Sequence, residues 1–261
     1  MLIGVDVGTG SARAGVFDPQ GKLLGVGKHP VTMWQEPGDI VEQSSEQIWQ
    51  AVCSAVRDAM AASGVAPEAI LGIGFDATCS LVAVGKDGHG VPVGPSGDRN
   101  RNVIVWMDHR AQAEAEEINA GGHAVLDFVG GRISPEMETP KLLWLARHMP
   151  ESFTSAEHFL DLSDYLTWRA SGSLARSSCT LTCKWTYLAH EGRWDAEYFH
   201  SVGLGTLADE GFARIGTNVV APATPVGGLT LPAASDLGLK PGTTVAAALI
   251  DAHAGGLGTL G

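Results

Sequence analysis

The chain has 261 residues, 44% of them apolar, enough for one large or two modest hydrophobic cores without help from disulfides. Seventeen Lys and Arg against 29 Asp and Glu leave a net charge of −12, and no basic stripe rises from that background, which argues against nucleic acid as a partner. The four cysteines form no CxxC and have no histidine at zinc-site spacing, and no apolar run reaches the ~18 residues of a membrane span, so a cytoplasmic protein with reduced thiols and no membrane partner is expected.

In chain order, residues 2–7, 12–17 and 23–31 read as three successive strands, with Asp18-Pro19-Gln20-Gly21 as the turn that closes a hairpin. Ser44 and Gln47 make a capping box, and Ile48, Val52, Val56 and Ala59 then recur at helical spacing up to a stop at Gly64. Residues 70–75 and 80–84 read as buried strands. Residues 102–106 form a short strand leading into a helix that starts near Asp108 and exposes Glu114, Glu116 and Glu117. Helices follow at 141–147 and 164–169, with looser segments after Cys183. Residues 243–250 read as one buried strand that ends on Asp251, before a glycine-rich tail. The sum is an α/β domain that opens on an antiparallel three-strand meander with flanking helices. A dinucleotide-binding domain would instead alternate strand and helix from the start, and no P-loop signature occurs.

Five segments place reactive groups at the ends of these elements. In Asp6-Val7-Gly8-Thr9-Gly10-Ser11-Ala12-Arg13, small residues let backbone N–H groups and hydroxyls approach a phosphate, Arg13 can neutralise it, and Asp6 can hold a water of Mg²⁺. Asp76-Ala77-Thr78-Cys79-Ser80 crowds polar groups at the C-terminal end of a strand, where α/β sheets bind ligands. Trp106-Met107-Asp108 sets an indole face, suited to a sugar, beside a carboxylate that can accept hydroxyls or merely cap a helix. Cys183-Lys184-Trp185 again sets a cation beside an aromatic. Asp251 follows a buried strand and precedes small residues that leave room for a ligand, so it can take a proton from a hydroxyl attacking a phosphoryl group. Taken alone, it reads equally well as an N-cap aspartate opening a terminal helix.

In this order the five segments resemble the FGGY carbohydrate kinases of the actin-like ATPase superfamily, and the likeness runs along the whole chain. The resemblance implies a ribonuclease H-like fold, Mg²⁺ at Asp6, ATP phosphates at Gly8, Thr9, Gly10, Ser11 and Arg13, and Asp251 as catalytic base. It implies sugar contacts at Asp76, Ala77, Thr78, Trp106, Asp108, Lys184 and Asp251. The Asp76–Ser80 segment looks like the ribulokinase type. Glycerol kinases carry Arg-Glu where Ala77 and Thr78 stand, and xylulokinases carry Met-His in that region. Residues 72–80, 102–110, 178–187 and 249–258 look most like the D-ribulose kinase branch, which makes D-ribulose the favoured substrate, with ribitol and L-ribulose next. Family members are considerably longer, so residues 1–261 correspond to the N-terminal sugar-binding domain, without the C-terminal nucleotide-binding domain, and are expected to be inactive alone. Homodimerisation of the full-length protein is left open. The alternatives are a non-catalytic sugar-sensing or regulatory module of the same fold and, less favoured, a chaperone-like or cytoskeletal ATPase.

Overall fold

In the computed structural model, which describes residues 1–260, the opening meander is made by β1 (Leu2–Gly8), β2 (Ser11–Phe17) and β3 (Leu23–Pro30). Its second turn is set locally: the Asp18 carboxylate accepts the N–H groups of Gln20 and Lys22 at 2.9 Å each, and Gly21 takes the left-handed φ of 80° that the turn needs. A short hairpin, β4 (Trp34–Glu36) and β5 (Ile40–Gln43), precedes α1 (Ser45–Ser63). Ser44 caps α1 by accepting the Gln47 N–H at 3.3 Å, and Gly64 ends it at φ 64°. The helix lies so close on β3 that a Cβ at Gly25 or Gly27 would collide with its backbone.

The chain continues through β6 (Gly72–Ala77), β7 (Leu81–Gly85), β8 (Val103–Ile104), α2 (Gln112–Ala120), α3 (Glu138–His148), α4 (Pro150–Ser155) and β9 (Ala156–Asp161). Next come α5 (Leu162–Ser171), β10 (Arg176–Ser177), α6 (Ser178–Lys184), α7 (Ala196–Ser201), α8 (Gly205–Asp209) and β11 (Val219–Val220). The last elements are β12 (Pro225–Gly228), α9 (Leu231–Leu237), β13 (Thr244–Ala246), β14 (Leu249–Ile250) and α10 (Asp251–Gly258). Among the described residues no helix is long and apolar enough to cross a membrane.

The larger sheet runs β12-β13-β6-β1-β2-β3, with β14 also on β6. β1 and β6 are parallel, and β13 and β14 follow one another along the far edge of β6. The single strand expected over 243–250 is thus divided. Val245 lies opposite Ile73 and Leu249 opposite Asp76, so the edge carries one residue more than β6 does and is bulged between its two pairings. The glycine-rich tail is helical from Asp251, whose negative charge suits the first turn.

The second sheet, β4-β5-β8-β7-β9, is a wall between two apolar cores. All five residues of β7 are buried, because successive side chains leave opposite faces of a strand. Val82 and Val84 enter the core shared by the first sheet, α1, α5 and α9, while Leu81 and Ala83 enter the core built with α2, α3 and α7. Each such fully buried aliphatic side chain contributes about 1.5–3 kcal/mol.

Candidate functional site

Three carboxylates meet at the C-terminal ends of the central strands. Asp6 on β1 pairs in register with Asp76 on β6, which pairs with Leu249 on β14, two residues before Asp251. Burial pushes the Asp76 carboxyl up to about 7, and the charges of Asp6 and Asp251 push in the same direction. On the other side of Asp6, Arg13 of β2 donates to its carboxylate at 2.8 Å, with both side chains well exposed. The tight turn between them leaves Gly8, Thr9 and Gly10 accessible, whereas Ser11 is buried at the start of β2.

Beside this end lies a cavity of about 390 Å³. Thr78, Trp106, Lys184 and Asp251 line it, bringing together four residues that are distant in sequence. Trp106 is fixed from two sides: its backbone N–H donates to Ser80 Oγ at 3.1 Å and its indole N–H to Thr9 Oγ1 at 2.9 Å. Lys184 closes α6, and its charge offsets part of the desolvation that raises the carboxyl of the fully buried Glu138 to about 7; Lys141, 3.7 Å from Glu138, offsets more. A wider, mainly apolar cavity of about 1070 Å³ adjoins on the α10 side, between Phe128, Met137 and Leu257.

Three residues expected at the sugar, Asp76, Ala77 and Asp108, are not among those that line the cavity. Ala77 is fully buried, paired with Val7 on one side and Ile250 on the other. Asp108 is also fully buried, and its carboxylate is taken up by the Arg110 guanidinium at 2.7–2.9 Å and by the Val41 N–H. Nor does it start a helix, since α2 begins at Gln112 and Asp108 holds the preceding turn. Arg110 also reaches Glu42 at 3.1 Å and stacks on Trp144, so the whole constellation supports the second sheet.

Mg²⁺ commonly takes one or two carboxylates and completes its shell with water and phosphate. Asp6, beside the Gly8–Gly10 turn, fits that demand, and a nearby divalent cation would relieve the part of the Asp76 shift that, after burial, the charges of Asp6 and Asp251 add. Among the described residues no three acidic, His or Cys side chains are grouped to enclose an ion without such a ligand.

Residues 1–258 match the sequence profile of the FGGY family of carbohydrate kinases, N-terminal domain. The chain belongs to the FGGY family. It is 49% and 48% identical to FGGY carbohydrate kinase domain-containing proteins of Danio rerio and Homo sapiens, over 99% of its own length and 47% of theirs. It is 42% identical to a D-ribulokinase of Saccharomyces cerevisiae, spanning 38% of that protein. The chain thus spans about half the length, or less, of these FGGY relatives. In fold it matches a ligand-bound xylulose kinase of Lactobacillus acidophilus, with a TM-score of 0.80 at 20% identity over 99% of the chain and 50% of that structure. A glycerol kinase of Plasmodium falciparum with ADP gives 0.79 at 12%, with the same coverage.

The cavity is also lined by Cys79 and Cys183, which lie within segments singled out above but carry no expected role there, and by Glu136 and His253. Cys79 is buried and Cys183 half-buried, both border this ligand-sized space, and burial raises both thiols. Glu136 follows Pro135 in an irregular turn before α3, so no periodicity marks it.

Proposed function

We propose that these residues form the sugar-binding half of a cytoplasmic ATP-dependent kinase acting on a ketopentose or pentitol, with D-ribulose favoured over ribitol and L-ribulose. One observation carries this reading: Asp251 shares a sugar-sized cavity with Trp106 and Lys184, while its neighbour across β6 opens on the Asp6–Arg13 turn. A sugar hydroxyl and a terminal phosphate can therefore approach the same carboxylate from two sides. The likeness to the yeast D-ribulokinase supports the choice of sugar.

In the proposed step the sugar hydroxyl gives its proton to the Asp251 carboxylate as its oxygen bonds to the γ-phosphorus of ATP, and the bond from that phosphorus to the ADP oxygen breaks. Trp106 offers its ring face to the sugar and Lys184 a charged donor to its oxygens. Arg13 and the open backbone of Gly8–Gly10 offset charge on the phosphates. Mg²⁺ held through Asp6 would neutralise further phosphate charge. The adenosine pocket and second wall of the cleft are assigned to a C-terminal domain beyond these residues, so residues 1–261 alone are expected to bind sugar weakly without turnover.

The test uses the protein expressed from its whole reading frame, assayed with D-ribulose, L-ribulose, ribitol and D-xylulose. Asp251→Ala is expected to lower turnover by about 10²–10⁴-fold or more while sugar binding by calorimetry persists. Near-normal turnover removes Asp251 as the base. Tight sugar binding with no phosphorylation by the unsubstituted protein would replace the kinase with a sugar-sensing module.

A further inference from the structure

Thr9 is held from the second sheet by two residues that belong to no phosphate motif. Its backbone carbonyl accepts the side-chain amide of Gln43 at 2.7 Å, from the end of β5, and its hydroxyl accepts the indole N–H of Trp106 at 2.9 Å, just beyond β8. Gln43 is buried, and Trp106 is anchored through Ser80 Oγ, which in turn lies 3.3 Å from the Thr78 hydroxyl in the cavity wall. The turn that opens toward phosphate is therefore clamped to the elements that line the sugar cavity.

The chemistry of the Trp106–Thr9 bond gives it a direction. An indole N–H can only donate, whereas a hydroxyl has one proton to donate and lone pairs to accept with. With one lone pair engaged by Trp106, the Thr9 proton must point elsewhere, and the open side of the turn is where a phosphate oxygen would accept it. The geometry points to Trp106 as a positioning residue for phosphoryl transfer: its ring forms the sugar cavity wall while its N–H fixes the Thr9 hydroxyl as a donor to the phosphate. This rests on the kinase reading above and adds to it a physical link by which sugar stacked on Trp106 steadies the phosphate turn.

Trp106→Phe keeps an aromatic ring in the wall but removes the indole N–H together with part of the ring area, and Thr9→Val, which removes the same bond and leaves the wall intact, separates the two losses. In the protein expressed from its whole reading frame, Trp106→Phe is expected to lower kcat about tenfold and raise the KM for ATP, as loss of one hydrogen bond to a charged group does, with the KM for sugar changed less than about threefold. Thr9→Val should reproduce that pattern, Thr9→Ser should retain activity, and the double variant Trp106→Phe/Thr9→Val should be no worse than Thr9→Val alone. Unchanged kcat and ATP KM in Trp106→Phe, a loss confined to the sugar KM, or multiplicative losses in the double variant would each overturn the proposal.

A second measurement does not depend on turnover. In ¹⁵N-labelled protein, the Trp106 indole N–H signal, identified by its loss in Trp106→Phe, is expected to move in Thr9→Val and on addition of Mg-ATP. A signal indifferent to both overturns the link whatever the activity. A signal that moves in a protein that phosphorylates none of the sugars retains the link and removes the kinase reading.

Discussion

Two groups of acidic side chains, one at each sheet, are handled in opposite ways. Behind the second sheet, Asp108 and Glu42 are almost completely buried, yet Arg110 sits between them with both its charge and its N–H groups engaged. At the end of the first sheet, Asp6, Asp76 and Asp251 press like charges together, with Arg13 as an exposed partner for one of them. Buried charge gathered around a guanidinium is architecture. Charge crowded at strand ends without a full set of partners raises the cost of ionising it.

The largest effect should come from breaking the paired group. Asp108→Ala strands a buried guanidinium and is expected to cost about 3–5 kcal/mol, read from the urea midpoint of residues 1–261. A cost below about 1 kcal/mol would mean that Glu42 alone suffices and that the pairing is redundant.

The crowded group should respond in the opposite direction. The Asp76 carboxyl titrates at about 7 in the folded chain against an ordinary 3.8, so the folded state binds the extra proton and stability falls as pH rises between those values. Asp76→Asn removes that slope: it should match the parent near pH 4 and exceed its stability at pH 8. An equal difference at both pH values would show that the Asp76 carboxyl is not raised by burial and by its charged neighbours in the folded chain. The smallest effect belongs to Arg13→Ala, which loses a pair whose side chains are 51% and 39% exposed and should change stability by no more than about 1 kcal/mol. A larger loss would place that pair among the structural ones.

What could be read from the sequence follows the range of the interactions. The Asp18–Gly21 turn and the Ser44 and Gly64 caps are settled by contacts within about four residues, and the meander and α1 were legible for that reason. The short β4–β5 hairpin, with Trp34 opposite Glu42, is not among the expected elements, whereas β8, expected within residues 102–106, is only two residues long and is held by β5 and β7. The burial of Asp108 depends on Val41, 67 residues earlier, and the clasp on Thr9 on Trp106, 97 residues later. No local pattern encodes either contact. The glycines at 255, 256 and 258 argue against the helix that Asp251 opens, so the tail's structure is set by its place on the sheet end rather than by propensity.

The position of β6 bears on how the chain is made. Its far edge is completed only by β13 and β14, with Gly72 waiting for Thr244, about 170 residues later. At roughly 5–20 residues per second, a ribosome leaves that edge open for about 10–35 s. During that interval the nascent chain presents an unpaired strand next to a finished meander, the kind of surface on which chains join one another. Synthesis of this protein therefore contains a period of exposure that the finished molecule no longer shows, and a holding chaperone would have most to shield between the emergence of Ala77 and that of Ile250.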